Sequence, residues 1–270
     1  MQILVQLYDE LHRDVPREPI VRGYVADMIG YGWRPEDVAV ASHPDHGETP
    51  LDMIDLKGHY KYAKMFVEEF ELDPQELLVS RENIVRLGLT SGADPDLLPP
   101  TMASVGSSGC PLHFIDNVKT ARMLLDFGAD PKIRDDKGLT PFMKHVVRGN
   151  YNIAEVLLPH ACLEDRVGGY PHTDYGPETN PTIVEEISSL DRRVYEKSNS
   201  VGWLLRRGAK PTGRALAEAV VRRKSNVIHE LLDFGAPIPE ALDLLKKRQL
   251  DKYSDEWVKY LEDRLRRLRV

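Results

Sequence analysis

Ala121-Arg122-Met123-Leu124-Leu125 runs into Gly128-Ala129-Asp130-Pro131, and Gly138-Leu139-Thr140-Pro141-Phe142-Met143 then opens the next apolar stretch. The closing tetrapeptide also stands at Gly92-Ala93-Asp94-Pro95. Worn copies follow at Gly208-Ala209-Lys210-Pro211 and Gly235-Ala236-Pro237, and an early one lies at Gly32-Trp33-Arg34-Pro35. The opening hexapeptide recurs as Gly47-Glu48-Thr49-Pro50-Leu51-Asp52 and, eroded, as Cys110-Pro111-Leu112-His113. A supersecondary unit that recurs in this way decides the architecture before any local propensity does.

The residue types explain the unit. Threonine before proline offers an oxygen to cap a helix, and proline suits the first helical position, where its missing N–H has no partner. Gly58 and Gly149 end a first helix, and Gly92 and Gly128 a second, where positive φ is easiest for glycine. Asp-Pro then turns the chain into an extended connection. Between these signals Ala121, Leu124 and Leu125 recur at helical spacing, as do Ile153, Val156, Leu157 and Leu158. A single unit cannot bury its apolar face, but stacked neighbours make one continuous core, with Leu124 and Leu157 inside it.

In these residues the chain resembles the ankyrin-repeat proteins. Residues 47–74 and 135–164 follow the family pattern closely, with Gly58-His59 and Gly149-Asn150 between the helices. The resemblance implies an all-α solenoid of stacked helix–turn–helix repeats with short hairpin fingers and helical caps. It also implies a groove, lined by fingers and inner helices, that takes a protein partner. The corresponding positions are Asp45, His46, Glu48, Leu56 and Lys57 in one unit and Asp136, Lys137, Leu139, Val147 and Arg148 in another, with Asn117 between them. Leu56, Leu139 and Val147 are apolar where exposure is expected, which makes them the expected anchors. His59 and His113 fall at structural positions of the family pattern. Cys162 takes the place of the small alanine and reads as a packed core thiol.

The expected organisation is one elongated domain over 1–270: a cap and first unit at 1–35, central repeats at 36–166, a loop insertion at 167–181, later irregular repeats at 182–238 and a helical cap at 239–270. The unit ending at Gly92 has room only for short helices near Gln75–Val79 and Glu82–Thr90. The unit ending at Gly128 is shortened before Val118. The insertion sets Tyr170, His172, Asp174 and Tyr175 among glycines and prolines, which suits a presented binding loop. At the ends, Leu4, Leu7 and Leu11 line one side of a first helix. Leu261, Leu265 and Leu268 face the stack from a last helix whose arginines stay in water.

The formal net charge of −7 argues against a nucleic-acid partner, which needs a basic footprint. No apolar run has the length of a membrane span, and the first residues lack a secretory pattern. Two cysteines make no disulfide framework, so the expected place is intracellular, cytoplasmic or nuclear. Phosphate-binding, nucleophile-elbow and zinc-protease motifs are missing. His43-Pro44-Asp45-His46 lacks the further ligands zinc requires and reads as an exposed turn. No catalytic residue, metal or cofactor is assigned. The leading expectation is a non-enzymatic scaffold for another protein. The alternative is an enzyme or small-ligand protein in which the 167–181 loop closes a pocket.

Overall fold

The computed structural model describes residues 2–45, 47–78, 82–104, 106–168, 180–189, 199–248 and 252–268. Among them are 16 α-helices, three short 3-10 turns, one isolated antiparallel bridge and no extended sheet. No described helix is long and apolar enough to cross a membrane. The chain divides into two compact units, Met1–Ile133 and Arg134–Val270.

In the first unit α1 (Gln2–Leu11) packs on α2 (Glu18–Gly30) and on α4 (Pro50–Leu56), with α3 (Pro35–Val40) between α2 and α4. Leu4, Leu7 and Leu11 are buried, as their spacing predicts. Buried Glu10 accepts from the backbone N–H and the guanidinium of Arg17, which fixes the turn from α1 to α2. Helix α4 begins at a full capping box: Asp52 N–H donates to Thr49, and the Thr49 N–H donates to the Asp52 carboxylate. Then come α5 (Tyr60–Glu69), α6 (Glu82–Thr90), α7 (Pro100–Ser104) and α8 (Val118–Asp126).

Two inner helices of this unit shrink to 3-10 turns, Pro74–Leu77 and Pro111–His113. The segments before α6 and α8 are too short for two α-turns, so the expected helix near residues 75–79 is a single tighter turn. Its polar residues hold the next finger. The Gln75 side chain donates to the carbonyls of Asp94 and Leu97 and accepts from the Asp94 N–H, and Glu76 accepts from the backbone and hydroxyl of Thr101.

In the second unit α9 (Pro141–Arg148) pairs with α10 (Tyr151–Leu157), and α11 (Ile183–Ser189) with α12 (Ser200–Leu205). The next pairs are α13 (Gly213–Val221) with α14 (Ser225–Asp233), and α15 (Ile238–Lys246) with α16 (Lys252–Arg267). Successive inner helices stack α11 on α13 on α15. Ser200 closes the first pair onto the second by donating to the Val146 carbonyl at 2.8 Å, and Trp203 lies 5.3 Å from the stacked ring of Tyr151. Leu124 and Leu157 are buried in their units, as expected. At the last helix Leu261 is buried, Leu265 is half-buried and Leu268 is exposed. The expectation that Leu268 faces the stack is therefore corrected: it lies one residue beyond the end of α16.

Candidate binding surfaces on the fingers

The first finger spans residues 43–48. His43 N–H donates to the Glu48 carbonyl at 2.8 Å and Gly47 N–H to the His43 carbonyl at 2.9 Å. Pro44 and Asp45 are exposed, as a turn should be, but His43 is not. Its ring lies 4.5 Å from that of Tyr8 because α1 packs here, and its Nδ1 accepts from the Asp45 N–H at 3.2 Å. The Tyr8 hydroxyl donates a short hydrogen bond to Glu48. Burial and the Glu48 carboxylate together push the Tyr8 phenol well above its ordinary range. Glu48 is thus an exposed residue with a structural duty. His46 lies outside the described residues.

Of the other positions in this unit, Leu56 is 52% exposed and Lys57 is the half-buried C-cap of α4. His59 bonds through Nε2 to the Arg13 carbonyl at 2.9 Å, the structural role its position implies. Asn117 is a helix cap whose side chain accepts from the Thr120 N–H at 2.8 Å. It also borders an open groove of about 490 Å³ with Glu82, Asp116, Val118 and Lys119.

The second finger, residues 135–139, is built around one carboxylate. Asp135 accepts from the N–H groups of Lys137 and Leu139, both at 3.0 Å, and pairs with Lys144 at 3.1 Å. Its backbone closes the turn, with Asp135 N–H donating to the Leu139 carbonyl and Gly138 N–H to that of Asp135. Asp136 and Lys137 are exposed at the tip, and Arg148 is exposed at the end of α9. Leu139 and Val147 are 9% and 7% exposed, so their expected role as open anchors is corrected. Six of the eight residues of α9 are buried, which makes it a central helix rather than one face of a groove.

The inserted segment is rooted on this same finger. Val167 N–H donates to the Pro181 carbonyl at 2.8 Å, Arg166 bridges Thr182, and the Arg166 guanidinium donates to the Asn180 carbonyl. The neck so formed docks on the finger through Gly168 N–H, which donates to the Gly138 carbonyl at 3.1 Å. Arg134 clamps the junction by donating to the carbonyls of Gly138 at 2.7 Å and Arg166 at 2.8 Å. A Cβ on Gly138 would overlap the Gly168 carbonyl. Tyr170, His172, Asp174 and Tyr175 lie outside the described residues. The sequence reading missed Arg134, Asp135, Gly138 and Arg166. The glycines at 138 and 168 were the available signal for a close backbone approach.

The cysteines divide differently from expectation. Cys110 is buried and caps the Pro111–His113 turn: His113 Nδ1 accepts from its N–H at 3.1 Å and lies 3.3 Å from its sulfur. Burial pushes the thiol up to about 12, so it stays protonated and is no nucleophile. Cys162 is exposed, not packed. Ala129 is drawn inward by donating to the Leu124 carbonyl, whereas Leu158–His160 continue as a 3-10 turn and Ala161 closes on Leu158. Among the described residues no three His, Cys, Asp or Glu side chains converge as metal ligands.

Paired helices capped by threonine or asparagine, glycines of positive φ at their ends and hairpin fingers between pairs define an ankyrin-type repeat fold. The chain matches no established protein-family profile and no curated protein sequence. Among solved structures it is similar to the crystal structure of the human ASB11 ankyrin repeat domain, at 18% identity and a TM-score of 0.43, covering 86% of this chain and 84% of that one. A likeness of that degree carries no argument about function, and the fold assignment stands on the caps, turns and helix pairs.

Proposed function

We propose that the chain is a protein-binding repeat module, and that the 135–139 finger and the neck of the inserted segment form one binding edge in the second unit. The observation that carries this reading is the docking of the neck on the finger, through Gly168, Gly138 and Arg134. It brings together two stretches that the sequence singles out separately. Asp135 directs its bonds into its own turn, so Asp136 and Lys137 stand on a preorganised tip. A rigid tip loses little conformational freedom on association, which favours recognition of a partner. In the first unit Asp45 and Leu56 are exposed.

The test is kinetic. A partner is captured from the source cell and identified, and its association with purified protein is followed by biolayer interferometry. Lys137→Glu should slow association, the more so at low salt, and leave the melting temperature nearly unchanged. Tyr170→Ala with Tyr175→Ala should weaken binding by about 2 kcal/mol or more. Wild-type kinetics in Lys137→Glu and in the tyrosine double variant would place the partner elsewhere and refute the finger edge.

A further inference from the structure

The inner helices of the second unit end in cations. Arg222-Arg223-Lys224 follows α13, and Lys246-Lys247-Arg248 closes α15. The two helices pack side by side and run the same way. At their starts Gly213 N–H donates to Glu240 at 3.3 Å; towards their ends Arg248 donates to Glu218 at 2.9 Å. Both triplets therefore lie on one rim. Lys224 extends it to α11 by donating to the Ile187 carbonyl at 2.7 Å. Arg222, Arg223, Lys246 and Lys247 are exposed, and Lys246 pairs with Glu262 of α16 at 3.3 Å.

Charge is divided unevenly between the units. Residues 1–133 carry 12 Lys and Arg against 22 Asp and Glu, a balance of −10, and residues 134–270 carry 24 against 21, a balance of +3. Cations at helix C-termini offset the helix dipole, and that alone explains one or two of these six. It does not explain Arg223. The turn after α13 closes with Arg223 N–H on the Val220 carbonyl and Lys224 N–H on that of Ala219. The turn after α9 closes in the same way through Gly149 and Asn150. Gly149 has φ +77 and Arg223 has φ +57, one of two non-glycine residues with positive φ among those described. Glycine adopts this conformation without the steric cost that arginine bears. Dipole compensation would be served by glycine at 223 with Arg222 and Lys224 kept. The guanidinium instead lies 5.6 Å over the ring of Tyr253, which braces it at the rim.

We propose that this rim is a docking surface for an acidic peptide segment, a short run of Asp or Glu in a partner protein. Packed helices lie about 8–10 Å apart. Carboxylates two residues apart on an extended strand share one face at a separation of about 7 Å, within reach of the long cationic side chains on the two helix ends. A long polyanion such as nucleic acid is disfavoured by the net charge of −7, whereas a short peptide meets only the local charge. The rim lies at the far ends of helices about 13 Å long from the finger side, so the proposal is independent of the finger edge.

The experiment uses the full chain and a fluorescein-labelled oligoglutamate peptide, with fluorescence anisotropy at low and physiological salt. An oligothymidylate of matched charge is the comparison. The peptide should bind at low ionic strength, more tightly than the oligothymidylate, and weaken with salt. Arg223→Gly should leave the melting temperature unchanged or raised, yet weaken peptide binding about two- to fivefold. Adding Lys247→Gln should bring the loss to about tenfold, as expected for two exposed charge contacts. Lys137→Glu, on the finger, should leave peptide binding unchanged. The proposal is overturned if the peptide does not bind at low salt or if the Arg223→Gly, Lys247→Gln double variant binds like the wild type. Tighter binding of the oligothymidylate, or loss of peptide binding in Lys137→Glu, would overturn it equally.

Discussion

Gly138→Ala tests the junction on which the binding edge depends. Gly138 has φ +70, and its Cβ would occupy the space of the Gly168 carbonyl. Two costs follow. A side chain in the left-handed region costs about 1–2 kcal/mol. Relief of the overlap moves the neck away and breaks the hydrogen bonds that the Gly138 carbonyl receives from Gly168 and Arg134, each worth about 0.5–1.5 kcal/mol. The total is about 2–5 kcal/mol. Gly208→Ala in the same unit isolates the first cost, because Gly208 has φ +94 and nothing within 4 Å of its Cβ position. Urea unfolding of both variants should therefore show Gly138→Ala the more costly by about 1–3 kcal/mol. Hydrogen exchange should be faster at the amides of Val167 and Gly168 in Gly138→Ala alone. Equal costs for the two variants, with unchanged exchange at the neck, would refute the docking of the inserted segment on the finger.

Two further outcomes test the packing and the first turn. Leu124→Ala and Leu157→Ala, both fully buried, should each cost about 2–5 kcal/mol in urea, and exposed Leu268→Ala less than about 0.5 kcal/mol. A cost below about 0.5 kcal/mol at either buried position would mean the helix faces are wrongly placed. The Arg17 guanidinium bonded to Glu10 holds that carboxyl at about 2, below its usual range, so the folded form favours the ionised state. The resulting stabilisation is present above the unfolded value of about 4.3 and is lost as pH falls from there through about 2. Acid titration of α1–α2 amide protection should show this loss in the wild type and lack it in Glu10→Gln. An identical acid profile in both would assign the transition to other groups.

Much of the chain is legible without the structure because its signals act within one turn of backbone. Thr49 and Thr140 cap the helices they precede, Gly128 and Gly149 take positive φ, and Glu82–Thr90 is a helix over the span expected. In each case the controlling atoms are neighbours in sequence: a hydroxyl three residues from the N–H it accepts, a missing Cβ, a proline ring without a proton. Apolar periodicity likewise puts Leu124 and Leu157 inward, because one stripe of a helix must be covered by something.

What covers each residue is a different matter. Leu139 and Val147 carry the same side chains whether they line a groove or fill a core, and the surroundings of α9 decide for the core. His43 reads as an exposed turn until Tyr8, thirty-five positions earlier, is seen against its ring. Cys162 has the alanine's place in the repeat, but a 3-10 extension leaves it in solvent. The neck of the inserted segment pairs residues 166 and 167 with 180–182 and sets Gly168 on Gly138, an arrangement with no local code. The sequence by itself determined the repeat, its caps and the helix faces, since those follow from interactions within a few residues. Only the tertiary structure decided which of those faces remain open and which fingers meet, because burial depends on whatever distant segment occupies the other side.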